Sequence, residues 1–402
     1  MLSALTSVLA LAVAVQGAPA PAPAALAVGD STFTVPAIHN ENFVRNGTAA
    51  LLKAYAKHGL VPTKEMPSEF YKFKKGKRQD GSAPASPSNG VEYLVPVTVG
   101  GQVLNLDFDT GSSDLWVFSS LLATASKTGH SIYSSAKSTT YKALSGYTWS
   151  IQYADGSGAS GVVGTDTVKI GGTTVTKQAV ELANKVSSAF VSDTSDGLVG
   201  LAFDNINTVS PTKQKTFFTN AKASLNSPLF AAYLPFNANG AYDFGYTDSS
   251  KYTGAIQYAT VSSSGGFWEF PSTSYKVGST VHTLSGQTGI ADTGTTLILA
   301  ADAAVDAYYA QVSGAKYSSS EGGYVFPCSA TLPTLSFKIG PTYYATIPGK
   351  LLNFGTTSGS TCFGSFQSVG GGSQNIYGDV FFNAYYGVFD TAGPRFGFAT
   401  IA

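Results

Sequence analysis

The chain has only two cysteines, four histidines and two methionines among its 402 residues, which removes several kinds of chemistry at the outset. Two thiols cannot make a zinc ligand set, and no His-Glu-x-x-His run offers a catalytic zinc site. Only His130 and His282 lie beyond the first fifth of the chain, and no Gly-x-Ser-x-Gly elbow occurs, so nothing in the pattern supports Ser-His-Asp hydrolysis. Charge is sparse at 12% of residues, about half the usual globular share. No basic patch in the later part suits nucleic acid, and after the first residues no apolar run is long enough to span a bilayer. What is abundant is apolar residues (43%), aromatics (12%) and 44 glycines, a balance that suits an all-β chain with many turns and a large core.

The chain reads in three parts. Residues 1–17 carry an apolar run from Val8 to Val15 between small residues, which reads as a secretory signal peptide cleaved near Gly17. Because no Lys or Arg precedes that run, a short uncleaved anchor is the other reading. Residues 18–78 hold 9 Lys and Arg against 4 Asp and Glu, whereas residues 79–402 hold 15 against 20. A front of about +5 against a remainder of about −5 is the charge pattern of a pro-segment released when acid protonates carboxylates. Within it, Ala49 to Leu60 has helical spacing, and Lys77-Arg78 is either a processing site or an exposed basic loop. Asn46-Gly47-Thr48 is a glycosylation sequon.

After a Ser/Pro/Gly linker, short runs such as Tyr93 to Val99, Val103 to Phe108, Val162 to Ile170 and Val388 to Phe398 read as strands. Short helices are expected at Pro228 to Tyr233 and Ala301 to Gln311, with strands dominating. Cys328 and Cys362, with no third competitor in an oxidising compartment, are expected to form one disulfide, two buried free thiols being the alternative.

The informative feature is a duplication. Leu106-Asp107-Phe108-Asp109-Thr110-Gly111-Ser112 recurs as Gly289-Ile290-Ala291-Asp292-Thr293-Gly294-Thr295, and each copy is followed by an apolar-apolar-Gly element, Leu198-Val199-Gly200 and Ile376-Tyr377-Gly378. One Asp-Thr-Gly is an ordinary turn. Two, each paired with a distant apolar-Gly element, imply two related lobes that each supply one carboxyl. Two carboxyls are what amide hydrolysis needs without a metal, cofactor or covalent nucleophile: one activates water and one protonates the carbonyl oxygen.

On these residues the chain resembles the pepsin family of aspartic proteases, above all its secreted fungal members. The resemblance covers nearly all of residues 91–402 and includes Tyr93 to Gly100, Asp196 to Phe203, Asp243 to Asp248 and Phe396 to Ala399. It implies a bilobal all-β fold with a long cleft and a β-hairpin flap, lobes at 79–253 and 254–402, and the catalytic pair Asp109 and Asp292. Carboxyls sharing one proton, the property for which this family is the standard example, favour acid. Gly111 and Gly294 would let backbone amides approach the pair, and Ser112 and Thr295 would orient it. The resemblance further implies that Tyr153, Asp155 and Ser157 form the flap tip, although Ala154 stands where the family usually has Gly, and that Trp116 bonds Tyr153. Phe190, Leu198, Ile290, Thr296 and Ile298 would line apolar pockets, and Asp155 would admit Lys beside the cut. A pro-segment Lys would block the site, with Lys64 the candidate and Lys72 and Lys74 its rivals. Peptides and the chain's own pro-segment are the expected partners of a monomer, with no membrane or nucleic acid among them. A pepsin-fold binding or inhibitor protein without catalysis is the alternative, which the presence of Asp109, Asp292, Tyr153, Ser112 and Thr295 opposes.

Overall fold

The computed structural model describes residues 26–41, 43–75, 93–152 and 158–402. Among the described residues, strands with inward-facing apolar residues build one 14-stranded sheet running through both halves, plus one five-stranded and two four-stranded sheets confined to the second half. The centre of the large sheet is a row of largely buried strands. Leu229–Tyr233 lies between Gly240–Phe244 and Tyr385–Asp390, and Phe230 stacks on Phe389 at 4.7 Å. Pro228 to Tyr233 is therefore strand rather than helix. A strand covered on both faces loses its period-two pattern and reads as an apolar run. Asp302–Tyr309 is helical as expected, and the run from Val388 to Phe398 is two strands, Tyr385–Asp390 and Arg395–Ile401, folded back on each other. The expected lobe boundary at 253/254 falls inside Tyr252–Thr260, which also pairs in the large sheet.

Both halves repeat one local topology. Gln102–Asp109 runs parallel to Gly197–Gly200, and Leu115–Phe118 pairs antiparallel with its other edge. In the second half Thr288–Ala291 runs parallel to Gln374–Tyr377, with Ile298–Ala300 antiparallel on the far side. Each apolar-apolar-Gly element is thus the strand threaded beneath an Asp-Thr-Gly loop. Its terminal glycine is required by contact: a Cβ on Gly200 would lie 2.5 Å from the backbone of Ser113 and Asp114, and one on Gly378 would lie 2.1 Å from the Thr295 carbonyl.

The described residues of the basic front part, 26–41 and 43–75, are built into the fold. Phe33–His39 buries Phe33, Val35 and Ala37 on one face and joins the large sheet between Gly240–Phe244 and Tyr93–Val99. The helix Gly47–Lys57 follows, capped by the Asn46 side chain, which accepts the Ala49 N–H at 3.0 Å. It ends at His58 because Gly59 takes a left-handed turn (φ +61°). Its apolar face, Ala50, Leu51, Ala54 and Tyr55, packs on Ile290, Leu297, Leu299 and Phe363 in the cleft. No described helix is long and apolar enough to cross a membrane.

Cys328 and Cys362 form a disulfide across 34 positions. In the entropic picture a closure of that length contributes about 3–4 kcal/mol. The double variant Cys328→Ala/Cys362→Ala is expected to lose that stability in urea unfolding while kcat stays unchanged, since the bridge ties Gly323–Pro327 to Thr361–Gly364, neither of which pairs with a strand that carries an Asp-Thr-Gly loop.

Candidate active site

The two loops meet at the junction of the halves and lock there through backbone and threonine groups. Thr293 Oγ1 donates to the Phe108 carbonyl (2.6 Å), and Thr110 Oγ1 donates to the Ala291 carbonyl (2.9 Å). Each hydroxyl also accepts the other threonine's backbone N–H, at 3.0 and 3.1 Å. Thr110 and Thr293 were assigned no role from sequence. Their spacing within a duplicated triplet is the signal that could have revealed them: equivalent residues of two related loops meet across a pseudo-twofold axis.

That lock sets the carboxyls of Asp109 and Asp292, both buried, face to face. Asp109 accepts the Gly111 N–H on Oδ1 (2.7 Å) and the Ser112 hydroxyl on Oδ2 (2.7 Å). Asp292 accepts the Gly294 N–H on Oδ1 (3.0 Å) and the Thr295 hydroxyl on Oδ2 (2.6 Å). The glycines are fixed by crowding. A Cβ on Gly111 would come within 2.4 Å of Asp292 Oδ1, and one on Gly294 within 2.3 Å of Asp109 Oδ1. Each loop therefore presents a glycine to the other loop's carboxylate.

A cation occupies the centre. Lys57 Nζ lies 2.8 Å from Asp109 Oδ1 and 2.9 and 3.0 Å from the two oxygens of Asp292. His58 Nε2 adds contacts to Asp292 Oδ2 (3.0 Å) and Thr295 Oγ1 (3.1 Å). This corrects the expectation for Lys64, which pairs with Asp306 at the surface and reaches the Tyr324 hydroxyl. The reason is reach: the cleft helix delivers its last residue to the dyad, and the chain turns away at Gly59 before Lys64. Lys72 and Lys74 have no described side chains. Burial pushes both dyad carboxyls up, while Lys57, aided at Asp292 by His58, opposes it. The balance differs between them, so Asp109 stands above and Asp292 well below the ordinary carboxylate value. Two environments for two equivalent groups suit one proton shared between them.

Trp116, Phe190 and Leu198 come together in one cluster, with Phe190 edge-on to Trp116 at 5.1 Å. Trp116 is buried, and its indole N–H has no partner among the described residues. Tyr153, Asp155 and Ser157 lie outside the described residues. The strands that frame them, Lys142–Gln152 and Gly158–Ile170, pair antiparallel up to Gln152 and Gly158. Ile290 lies in the cluster that receives the cleft helix, and Thr296 is half-buried beside the loop. Ile298 corrects by one residue: it points into the main core, and its neighbours Leu297 and Leu299 face the cleft helix. Alongside Lys57 to Val61 a cavity of about 740 Å³ stays open against Ser112, Ile151, Phe267 and Ile376.

A cleft between two β lobes with one aspartate from each defines an aspartic protease. Residues 92–401 match the eukaryotic aspartyl protease family. Endothiapepsin of Cryphonectria parasitica is 51% identical over 93% of this chain and 91% of its own. Aspergillopepsin-1 of Aspergillus pseudoglaucus is 52% identical over 89% and 90%, and penicillopepsin-1 of Penicillium janthinellum 53% identical over 79% and 98%. The chain belongs to the eukaryotic aspartyl protease family and is an aspartic endopeptidase with the bilobal pepsin-like fold.

Proposed function

We propose that the chain is the precursor of a secreted acid endopeptidase, held inactive by its own residues 18–78 and acting as a monomer once they are removed. The observation that carries this reading is Lys57 seated between Asp109 and Asp292 at the end of a helix that lies in the cleft. The charge opposition between the two parts of the chain and the apolar leader at residues 1–17 support it. In the processed enzyme Asp109 and Asp292 are the catalytic pair, one activating water and the other protonating the scissile carbonyl. The apolar walls of Phe190, Leu198 and Ile290 favour bulky hydrophobic residues around the cut. The indole N–H of Trp116, which has no partner among the described residues, is the expected bonding partner of the Tyr153 hydroxyl, and the acidic Asp155, two positions on in the sequence, extends acceptance to Lys.

The test is to express the whole chain, lower the pH, and follow both the N-terminus and cleavage of a denatured protein, with and without a statine-type inhibitor. A new N-terminus near residue 79 together with inhibitor-sensitive cleavage is expected. A precursor that is already active at neutral pH, or activity the inhibitor does not touch, would overturn the reading.

A further inference from the structure

A second pair of carboxyls lies beneath the first catalytic loop, and the dyad's chemistry does not use it. Asp114 ends that loop, Glu181 projects from the strand Thr173–Val186, and they are 2% and 1% exposed. One atom brings the two groups together, Asn207 Nδ2, which lies 3.0 Å from an oxygen of each, and among the described residues no cation forms an ion pair with either. A bond between two such carboxyls requires a hydrogen, because two carboxylates have only acceptors. Glu181 Oε2 meets no other donor among the described residues.

The neighbours fix where that hydrogen belongs. Asn207 is oriented unambiguously because its carbonyl oxygen accepts the backbone N–H groups of Val209 (3.2 Å) and Gln214 (2.7 Å). Its amide nitrogen therefore faces three acceptors: the Ser113 carbonyl (3.1 Å), Asp114 Oδ1 (3.0 Å) and Glu181 Oε1 (3.0 Å). Two N–H bonds cannot fully satisfy three acceptors. Thr208 gives its backbone N–H (2.8 Å) and hydroxyl (2.9 Å) to the same Asp114 oxygen, which saturates it. The other charged group acting on Asp114 is Lys213, whose ammonium is bound to the Asn205 carbonyl. The donors thus converge on Asp114 as the carboxylate, and Glu181 is left to supply a proton.

We propose that Asp114 and Glu181 share one proton, and that this acid–carboxylate pair is a positioning device for Asp109, holding the backbone at Ser113 and Asp114 through Asn207 only while the proton is kept. Burial and the neighbouring charge both push Glu181 well above the ordinary Glu value, and burial raises Asp114 as well. For acids raised in this way the sign is fixed. The unfolded chain ionises first, so the stabilisation is complete below the ordinary carboxylate range and declines as pH rises toward the folded value. Loss of the proton leaves two buried like charges at the foot of the catalytic loop.

The measurement is residual activity, read in acid, after the acid-processed enzyme has been held at a series of pH values between about 4 and 8. Glu181→Gln keeps the shape and gives Asp114 a permanent N–H donor. Its inactivation midpoint is expected to move up by about one pH unit or more, with kcat in acid within about twofold of the parent and the acidic limb of the kcat profile unmoved. A midpoint unchanged or lowered would overturn the proposal. Should Glu181→Gln not fold, infrared spectra of the Asp109→Asn/Asp292→Asn enzyme decide, because its dyad has no carboxyl to contribute. A protonated carboxyl band that persists above the ordinary carboxylate range and disappears as the fold is lost with rising pH supports the shared proton, and loss of the fold with no such band refutes it.

Discussion

Replacing Asp292 by Asn in the processed enzyme is expected to lower kcat by about 10²–10⁴-fold with KM little changed. Asn is nearly isosteric, and its groups fit the same shell: the carbonyl oxygen can keep the Gly294 N–H, and the amide can donate to Thr295 Oγ1, which now donates to Asp292 Oδ2 at 2.6 Å. Shape and loop geometry survive while the ability to exchange a proton does not. The expected signature is therefore an unfolding midpoint close to the parent's beside a collapse of turnover, with loss of tight binding by a statine-type inhibitor. A fully active Asp292→Asn enzyme would remove the two-carboxyl mechanism. Asp109→Asn is expected to be equally damaging, because the Thr110–Thr293 lock makes the two halves of the site depend on one another.

What could be read in the sequence follows from where each signal resides. The duplicated Asp-Thr-Gly and the two apolar-Gly elements were legible because local chemistry dictates them. The glycine beneath each loop has no room for a Cβ, and neither have Gly111 and Gly294. The pairing of Cys328 with Cys362 was legible for want of competitors. Properties set by packing were less so. The strand Leu229–Tyr233 is covered on both faces, so the alternation that marks a strand was absent. Ile298 and its neighbours are all apolar, and composition could not say which of them faces the cleft. The dyad's cation was missed because a choice among several lysines depends on how a helix enters a groove. The pieces were present in Ala49 to Leu60, a helix whose last turn carries Lys57 and whose stop is Gly59. Basic residues gather at helix C-termini, and the helix dipole favours them there.

That helix end carries the second large expectation. Lys57→Met keeps the length and apolar stem of the side chain but removes the charge that both aspartates contact. Breaking a buried ion pair by removing one partner costs about 3–5 kcal/mol, equivalent to roughly two to four orders of magnitude in the docked-to-released ratio of the pro-segment. The dyad can recover part of that loss by taking up a proton, the arrangement it has in the free enzyme. Acid acts on the same contact in the parent chain. Asp292 is held well below the ordinary carboxylate value when burial is outweighed by Lys57 and His58, so its contribution to docking is complete above that value and is lost as pH falls through the lowered one. The parent precursor should accordingly exclude an active-site-directed inhibitor near neutrality and admit it in acid. The Lys57→Met precursor should admit it at both, and shed its pro-segment at a pH where the parent is stable. Equal inhibitor exclusion by the two precursors near neutrality would mean that the strand Phe33–His39 and the apolar face of the cleft helix hold the pro-segment unaided, and that Lys57 only fills the space between the carboxyls.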